Sequence, residues 1–74
     1  MPTIEITIDE YVGREVKHER ELKGYKQEEL ATAIGISTMG LSYLERGKRS
    51  WKPSTLEKVA KALGCKMTDF IPNH

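Results

Sequence analysis

The hydrophobic positions of this chain follow two different periods along its length. Residues 3–8, Thr-Ile-Glu-Ile-Thr-Ile, alternate strictly between polar and apolar side chains. β-Branched residues at a period of two are typical of a strand with one buried face. Beyond residue 8 the apolar positions recur every three or four residues, which is the period of an amphipathic helix. The sequence therefore predicts a short N-terminal β-strand within residues 1–8 and a helical domain over residues 9–74.

The predicted strand has no second strand in the chain to pair with. A lone strand leaves its backbone N–H and C=O groups unpaired along both edges. We therefore expect Ile4, Ile6 and Ile8 to support dimerisation, with two copies of the strand pairing antiparallel across a two-fold axis. Two alternatives stay open, namely a disordered tail and a strand that lies against the helices of its own chain.

Cap and turn residues divide the remainder into five predicted helices. Glycine ends a helix because it adopts the left-handed backbone at no steric cost. A side chain that accepts a backbone N–H, or a proline that lacks one, favours a helix start. The last predicted helix, at about residues 67–71, should add Met67, Phe70 and Ile71 to the core. The markers in chain order are Asp9, Gly24, Gly35, Ser37, Pro53, Gly64 and Pro72.

The second and third predicted helices form the most informative segment. Residues 27–34 carry apolar side chains on one face, and Gly35 ends that helix. Ser37 can cap the next helix, in which Leu41 and Leu44 lie three positions apart on one face. A helix, a turn of three or four residues that contains glycine, and a second helix form the layout of a DNA-binding helix-turn-helix.

The charge distribution favours a polyanionic partner. The net charge is only +1, but residues 1–21 carry six acids and three bases, and residues 22–74 carry five acids and nine bases. Four of these bases lie within seven residues that contain no acid, directly after the third helix. A charge run alone would indicate a solvated loop, and its position beside a helix-turn-helix favours nucleic acid instead. These bases are Arg46, Lys48, Arg49 and Lys52.

Other classes of protein find little support in the sequence. The single cysteine allows no intrachain disulfide, and no apolar run approaches the roughly 20 residues of a membrane span. Without a secretion signal, the cytoplasm is the expected compartment. No phosphate-binding loop, nucleophile elbow or paired-histidine zinc motif occurs, so we expect no enzyme activity, cofactor, metal site or small-molecule ligand.

Several short segments together resemble the Cro/C1-type helix-turn-helix family of phage repressors, antitoxins and restriction-modification controller proteins. Residues 23–31 resemble its entry into helix two, residues 35–37 its turn, and residues 45–49 the end of its recognition helix. The resemblance covers residues 12–71. It implies an all-α, five-helix, lambda-repressor-like DNA-binding domain, to which the N-terminal strand is an addition.

The resemblance also implies roles for individual side chains. The start of helix three would enter the major groove, with Thr38, Met39 and Tyr43 toward the base edges. None of the three is Asn, Gln or Arg, so we expect modest direct base recognition, supplemented by DNA shape. Arg46 and Arg49 could also contact guanine if they reach a groove. The expected phosphate contacts are Gln27, Lys26, Ser42, Arg46, Lys48, Arg49 and Lys52.

A structural ion pair and three unusual positions complete the expectations. The family pairs an arginine late in helix one with a glutamate late in helix three, and Arg20 and Glu45 occupy these positions. Lys26 replaces the usual capping Ser or Thr, so helix two should be frayed or capped otherwise. Gly40 could let the protein backbone approach a base or a phosphate closely, or it could reflect drift at a surface site. Trp51 could stack on a sugar-phosphate edge or seal helix four against helix three.

These observations lead to two functional hypotheses. The first is a transcriptional regulator that binds a pseudo-palindromic double-stranded operator as a homodimer, acting as a repressor by occupying a promoter. The second is a protein-interaction module, such as an antitoxin-like adaptor, that grips its partner through the N-terminal strand.

Overall fold

The computed structural model describes residues 6–72, which form four α-helices and one short 3-10 turn. The helices are α1 (Ile8–Leu22), α2 (Gln27–Ile34), α3 (Thr38–Glu45) and α4 (Pro53–Leu63), and Met67–Phe70 form the 3-10 turn. The all-helical prediction is thus confirmed, but the predicted fifth helix is only this 3-10 turn. Within the described residues, no helix is long and apolar enough to cross a membrane.

The predicted N-terminal strand is wrong where the structure describes it. Residues 6–72 contain no strand; Ile6 lies outside regular secondary structure and Ile8 is the first residue of α1. Ile4 lies outside the described residues. The helical part therefore begins at Ile8, one residue before the predicted boundary, and strand pairing cannot include that residue.

A capping box explains why a helix begins here in spite of the alternating pattern. The Thr7 hydroxyl accepts the backbone N–H of Glu10 at 3.0 Å, and the Glu10 carboxylate accepts the backbone N–H of Thr7 at 3.0 Å. These reciprocal bonds satisfy two donors that a helix start leaves free. Asp9, the predicted cap, instead accepts a hydrogen bond from the backbone N–H of Trp51.

The capping box makes stability depend on pH. The pKa of Glu10 lies below the ordinary 4.5 of glutamate, first because of the Thr7 backbone N–H and then because of the Thr7 side chain. A lowered folded-state pKa contributes stability above the unfolded pKa, and this contribution is lost as the pH falls through the folded value. We expect Glu10→Gln to lower the free energy of unfolding at pH 7, and the difference from wild type to shrink below about pH 4.

Urea denaturation of both proteins between pH 7 and pH 3 measures this difference. Glu57→Gln, at an exposed position of α4, is the matched control and should show a smaller change at every pH. An equal deficit of Glu10→Gln at pH 7 and pH 3 would contradict the role of the ionised carboxylate.

The hydrophobic core lies between the four helices and is closed by the 3-10 turn. Phe70 is fully buried, Met67 is half-buried and Ile71 is 42% exposed, so the prediction that Ile71 joins the core is wrong. Ile71 follows the turn in an extended conformation, and its side chain therefore leaves the face that Phe70 occupies. The buried apolar side chains are Val12, Val16, Leu30, Ala31, Ile34, Leu41, Leu44, Leu56, Val59, Ala60, Leu63 and Phe70.

Helix α1 crosses the end of α3 at very short range. Gly13 is buried, and a Cβ atom built on it would lie 2.5 Å from the carbonyl oxygens of both Leu44 and Glu45. A glycine at this position lets the backbones of α1 and α3 touch. No spacing or motif in the sequence indicates this contact.

Candidate nucleic-acid interface

The turn between α2 and α3 has the predicted structure. Gly35 ends α2 in the left-handed conformation, with a φ angle of 77°. The Ser37 hydroxyl then accepts the backbone N–H of Gly40 at 2.9 Å and caps α3. Leu41 and Leu44 face the core, whereas Thr38 and Met39, the first two residues of α3, are exposed. Met39 is 65% exposed, a large apolar side chain held in solvent at the start of the second helix.

A cluster of cations follows α3 directly, as the sequence predicted. Arg46, Lys48, Arg49 and Lys52 are all exposed. The guanidinium carbons of Arg46 and Arg49 lie over the Tyr43 ring, 5.2 and 5.4 Å from its centroid. The structure therefore brings three of the predicted contact residues together at the end of α3.

Gly40 lies beside Arg49. The glycine is buried, so the interpretation that it reflects drift at a surface site is wrong. A Cβ atom at this position would lie 3.1 Å from the Ser37 hydroxyl and 3.6 Å from Nη1 of Arg49. Close approach of a DNA backbone at Gly40 stays a prediction.

An open cleft lies between α3 and the start of α4. It has a volume of about 500 Å³ and includes Ser37, Gly40, Arg49, Lys52 and Thr55 among its lining residues. Lys52 is the N-cap residue of α4, and its ammonium group cannot accept the free backbone N–H groups of the first turn. Two cations and the start of a helix consequently face one concave surface, which suits an anion.

A buried ion pair joins α1 to the end of α3. The Arg20 guanidinium donates from Nε to Oε2 of Glu45 at 2.7 Å and from Nη2 to Oε1 at 3.2 Å. Arg20 also donates from Nη1 to the Tyr25 carbonyl oxygen at 2.8 Å. The two charged side chains are 8% and 1% exposed, so their charges are compensated inside the protein.

Gln27 belongs to the same network. Its side-chain Nε2 donates to Oε1 of Glu45 at 2.9 Å, and the residue is half-buried. The sequence predicts a phosphate contact for this side chain, with a solvent-facing amide as the alternative. The amide keeps a second N–H and its oxygen for another partner, so the phosphate contact stays a prediction.

The start of α2 is capped in an alternative way. Lys26 has no side-chain acceptor, and its own backbone N–H donates to Oε1 of Glu29 at 2.8 Å. Half of a capping box is therefore present, and the N–H groups of the first turn have no acceptor on the Lys26 side chain. The expectation that this helix is capped otherwise is confirmed.

Trp51 joins the cationic loop, residues 46–52, to α1 and α3. Its backbone N–H donates to Oδ1 of Asp9 at 2.8 Å, and its indole Nε1 donates to the Leu44 carbonyl oxygen at 3.1 Å. The ring is half-buried and packs against the core. The ring therefore packs against the protein, but its hydrogen bonds reach α1 and α3, and the seal of α4 against α3 stays a prediction. The predicted cap residue Asp9 anchors the loop.

Comparison with known proteins assigns a family to this arrangement. Residues 16–70 match the family model described as helix-turn-helix. The chain belongs to the Cro/C1-type helix-turn-helix family. This chain is 47% identical, over 55 residues, to the uncharacterized HTH-type transcriptional regulator Rv0023 of Mycobacterium tuberculosis. That match covers 74% of this chain and 22% of the relative, so the chain spans about a fifth of the relative's length.

Two further proteins are similar to this chain. The competence pilus inhibition repressor of Acinetobacter baylyi is 35% identical over 60 residues, which are 81% of this chain and 54% of that repressor. The crystal structure of SinR of Bacillus subtilis, the master regulator for biofilm formation, in complex with DNA superimposes with a TM-score of 0.74 at 32% identity. It covers 80% of this chain and 95% of the SinR chain.

Proposed function

We propose that this helix-turn-helix protein binds double-stranded DNA sequence-specifically and regulates transcription, with the start of α3 in the major groove. The observation that carries this proposal is the exposed surface of α3. It presents Thr38 and Met39 at the helix start and leads into the cluster of Tyr43, Arg46 and Arg49. The relatives named as regulators, and the neighbour solved with DNA, support the same function.

We infer that Thr38, Met39 and the hydroxyl edge of Tyr43 face the bases. The threonine hydroxyl can donate or accept, and its methyl group and Met39 can contact the methyl group of thymine. None of these side chains forms the bidentate pairs that discriminate most strongly between bases. Sequence-dependent DNA shape then supplies part of the specificity.

We infer that the surrounding polar groups position the domain on the DNA backbone. Arg46, Arg49 and Lys52 are exposed at the end of α3 and at the cleft, and helix starts offer free N–H groups to phosphate. Gln27 would contribute its remaining amide groups, since one N–H is bound by Glu45. The proposed phosphate contacts are Gln27, Lys26, Ser42, Arg46, Lys48, Arg49 and Lys52.

We propose that the active form is a homodimer on a pseudo-palindromic operator, with half-sites roughly 34 Å apart, one turn of the double helix. Repression by occupying a promoter is the simplest action, and the relative named a repressor supports it. The rival hypothesis, a module that grips a protein through an N-terminal strand, loses part of its basis because Ile8 belongs to α1.

Selection from a random pool of double-stranded DNA, followed by a salt titration of the enriched site, tests this function. We expect the wild type to enrich a sequence, and log K to fall linearly with log salt concentration. Arg46→Ala/Arg49→Ala removes two phosphate contacts from each protomer, four from the proposed homodimer, and should flatten the slope by about 3.6, at roughly 0.9 per contact.

A double variant of equal charge serves as the control. Lys58→Ala/Lys61→Ala removes two exposed cations from α4 outside the proposed interface and should retain more of the wild-type slope. Absence of any enriched sequence, or equal slopes for the wild type and the arginine variant, would refute the proposed interface.

A further inference from the structure

Two positively charged guanidinium groups lie over the aromatic ring of Tyr43. The guanidinium carbons of Arg46 and Arg49 lie 5.2 and 5.4 Å from the ring centroid. Two exposed arginines so close in sequence would otherwise separate, because their charges repel. The negative face of an aromatic ring attracts a guanidinium within about 6 Å of its centroid. The half-buried ring of Tyr43 therefore favours conformations in which both arginines stay beside α3.

Each arginine also has a second neighbour that limits its direction. Nε of Arg46 donates to the carbonyl oxygen of Ser42, one turn back along α3, at 3.3 Å. Nη1 of Arg49 lies beside Gly40, where a Cβ atom would be only 3.6 Å away. The Arg49 guanidinium therefore lies along α3 within van der Waals reach of position 40.

We propose that Tyr43 is a positioning residue, whose ring orders Arg46 and Arg49 as a pair for the phosphates of the DNA backbone. This inference rests on the proposed DNA binding and makes the ring of Tyr43 more important for affinity than its hydroxyl group. A free arginine loses several rotamers when it binds phosphate, and prior ordering on the ring reduces that entropic cost. The cation–π contact needs no N–H hydrogen bond, so the guanidinium donors stay available for phosphate oxygens.

The first test needs no DNA. The ring current of an aromatic side chain shifts protons above its face upfield, so the Hε resonances of Arg46 and Arg49 report the contact by NMR. We expect both resonances to lie upfield in the wild type and in Tyr43→Phe, and to move downfield in Tyr43→Leu. Tyr25→Leu, at a tyrosine that is 42% exposed, controls for loss of an unrelated ring. Undisplaced resonances in the wild type would overturn the proposal.

The second test measures affinity for the selected DNA site. We expect Tyr43→Leu to weaken binding about five- to tenfold, as loss of two exposed cation–π contacts allows. Tyr43→Phe should recover most of that loss, because it keeps the ring and lacks only the hydroxyl. In the Arg46→Ala/Arg49→Ala background, the same Tyr43→Leu change should cost less than about twofold, since no guanidinium remains to be ordered.

These comparisons separate a positioning role from a base contact and from a structural role. Equal losses in Tyr43→Phe and Tyr43→Leu would assign the effect to the hydroxyl and overturn the proposal. A loss that persists without the two arginines would overturn it as well, because the ring would then act independently of them. Should the wild type select no DNA sequence, the proposed function fails, and the arginine resonances alone decide whether Tyr43 orders the pair.

Discussion

Removal of either partner of the Arg20–Glu45 pair is expected to lower the free energy of unfolding by about 3–5 kcal/mol. Arg20→Met would leave the Glu45 carboxylate in an interior where its side chain is 1% exposed. Of the hydrogen-bond partners of the Glu45 carboxylate, only the Gln27 amide would then remain. Glu45→Leu would leave the guanidinium without its counter-charge. A small domain has a total stability of about 5–15 kcal/mol, so either change removes a large part of it.

A double-mutant cycle checks the physical cause. Arg20→Met/Glu45→Leu replaces both charges by apolar groups, so no buried charge is left uncompensated. We expect the double variant to be more stable than either single variant, although it lacks the pair altogether. Urea denaturation followed by circular dichroism gives the four free energies. Additive losses in the double variant would show that the two residues act independently, in conflict with their 2.7 Å contact.

Gly13→Ala is expected to destabilise the domain by about 3 kcal/mol, the upper part of the range for overpacking a close contact. The added methyl group would lie 2.5 Å from the Leu44 and Glu45 carbonyl oxygens, and both are backbone atoms that cannot rotate away. Helix α1 would have to move off α3. This movement would also disturb the ion pair between the same two helices.

Gly40→Ala provides a matched control for that prediction. Both glycines are buried in helices, but a methyl group at Gly40 would approach only the Ser37 hydroxyl, at 3.1 Å, and the flexible end of Arg49. We expect its free energy of unfolding to stay within about 1 kcal/mol of wild type, since alanine favours a helix by a similar amount. The same denaturation experiment compares the two variants. A Gly13→Ala protein as stable as Gly40→Ala would contradict the close crossing of α1 and α3.

The helix and turn predictions that proved correct depend on residues close together in the sequence. Gln27–Ile34 form the helix expected there, Gly35 ends it with a positive φ angle, and Ser37 caps α3. Each of these features requires only a side chain or a backbone freedom within four residues. The same is true of Pro53 at the start of α4.

The errors at both ends of the chain have related causes. Around Thr7 and Ile8, the alternating pattern competes with a capping box, and the structure follows the capping box. At the other end, the apolar pattern did not distinguish buried Phe70 from exposed Ile71, because a 3-10 turn of four residues is too short to establish a face. Short apolar segments leave such choices to the surrounding packing.

The sequence by itself determined the helical class, the helix-turn-helix and its cationic loop, because periodicity, caps and charge runs are local properties. Tertiary structure alone decided that Gly13 touches the backbone of α3, that Asp9 binds Trp51 42 residues away, and that Glu45 engages Gln27. It also placed the guanidinium groups of Arg46 and Arg49 over Tyr43. These contacts depend on how the helices cross and on side-chain directions, which no spacing along the chain specifies.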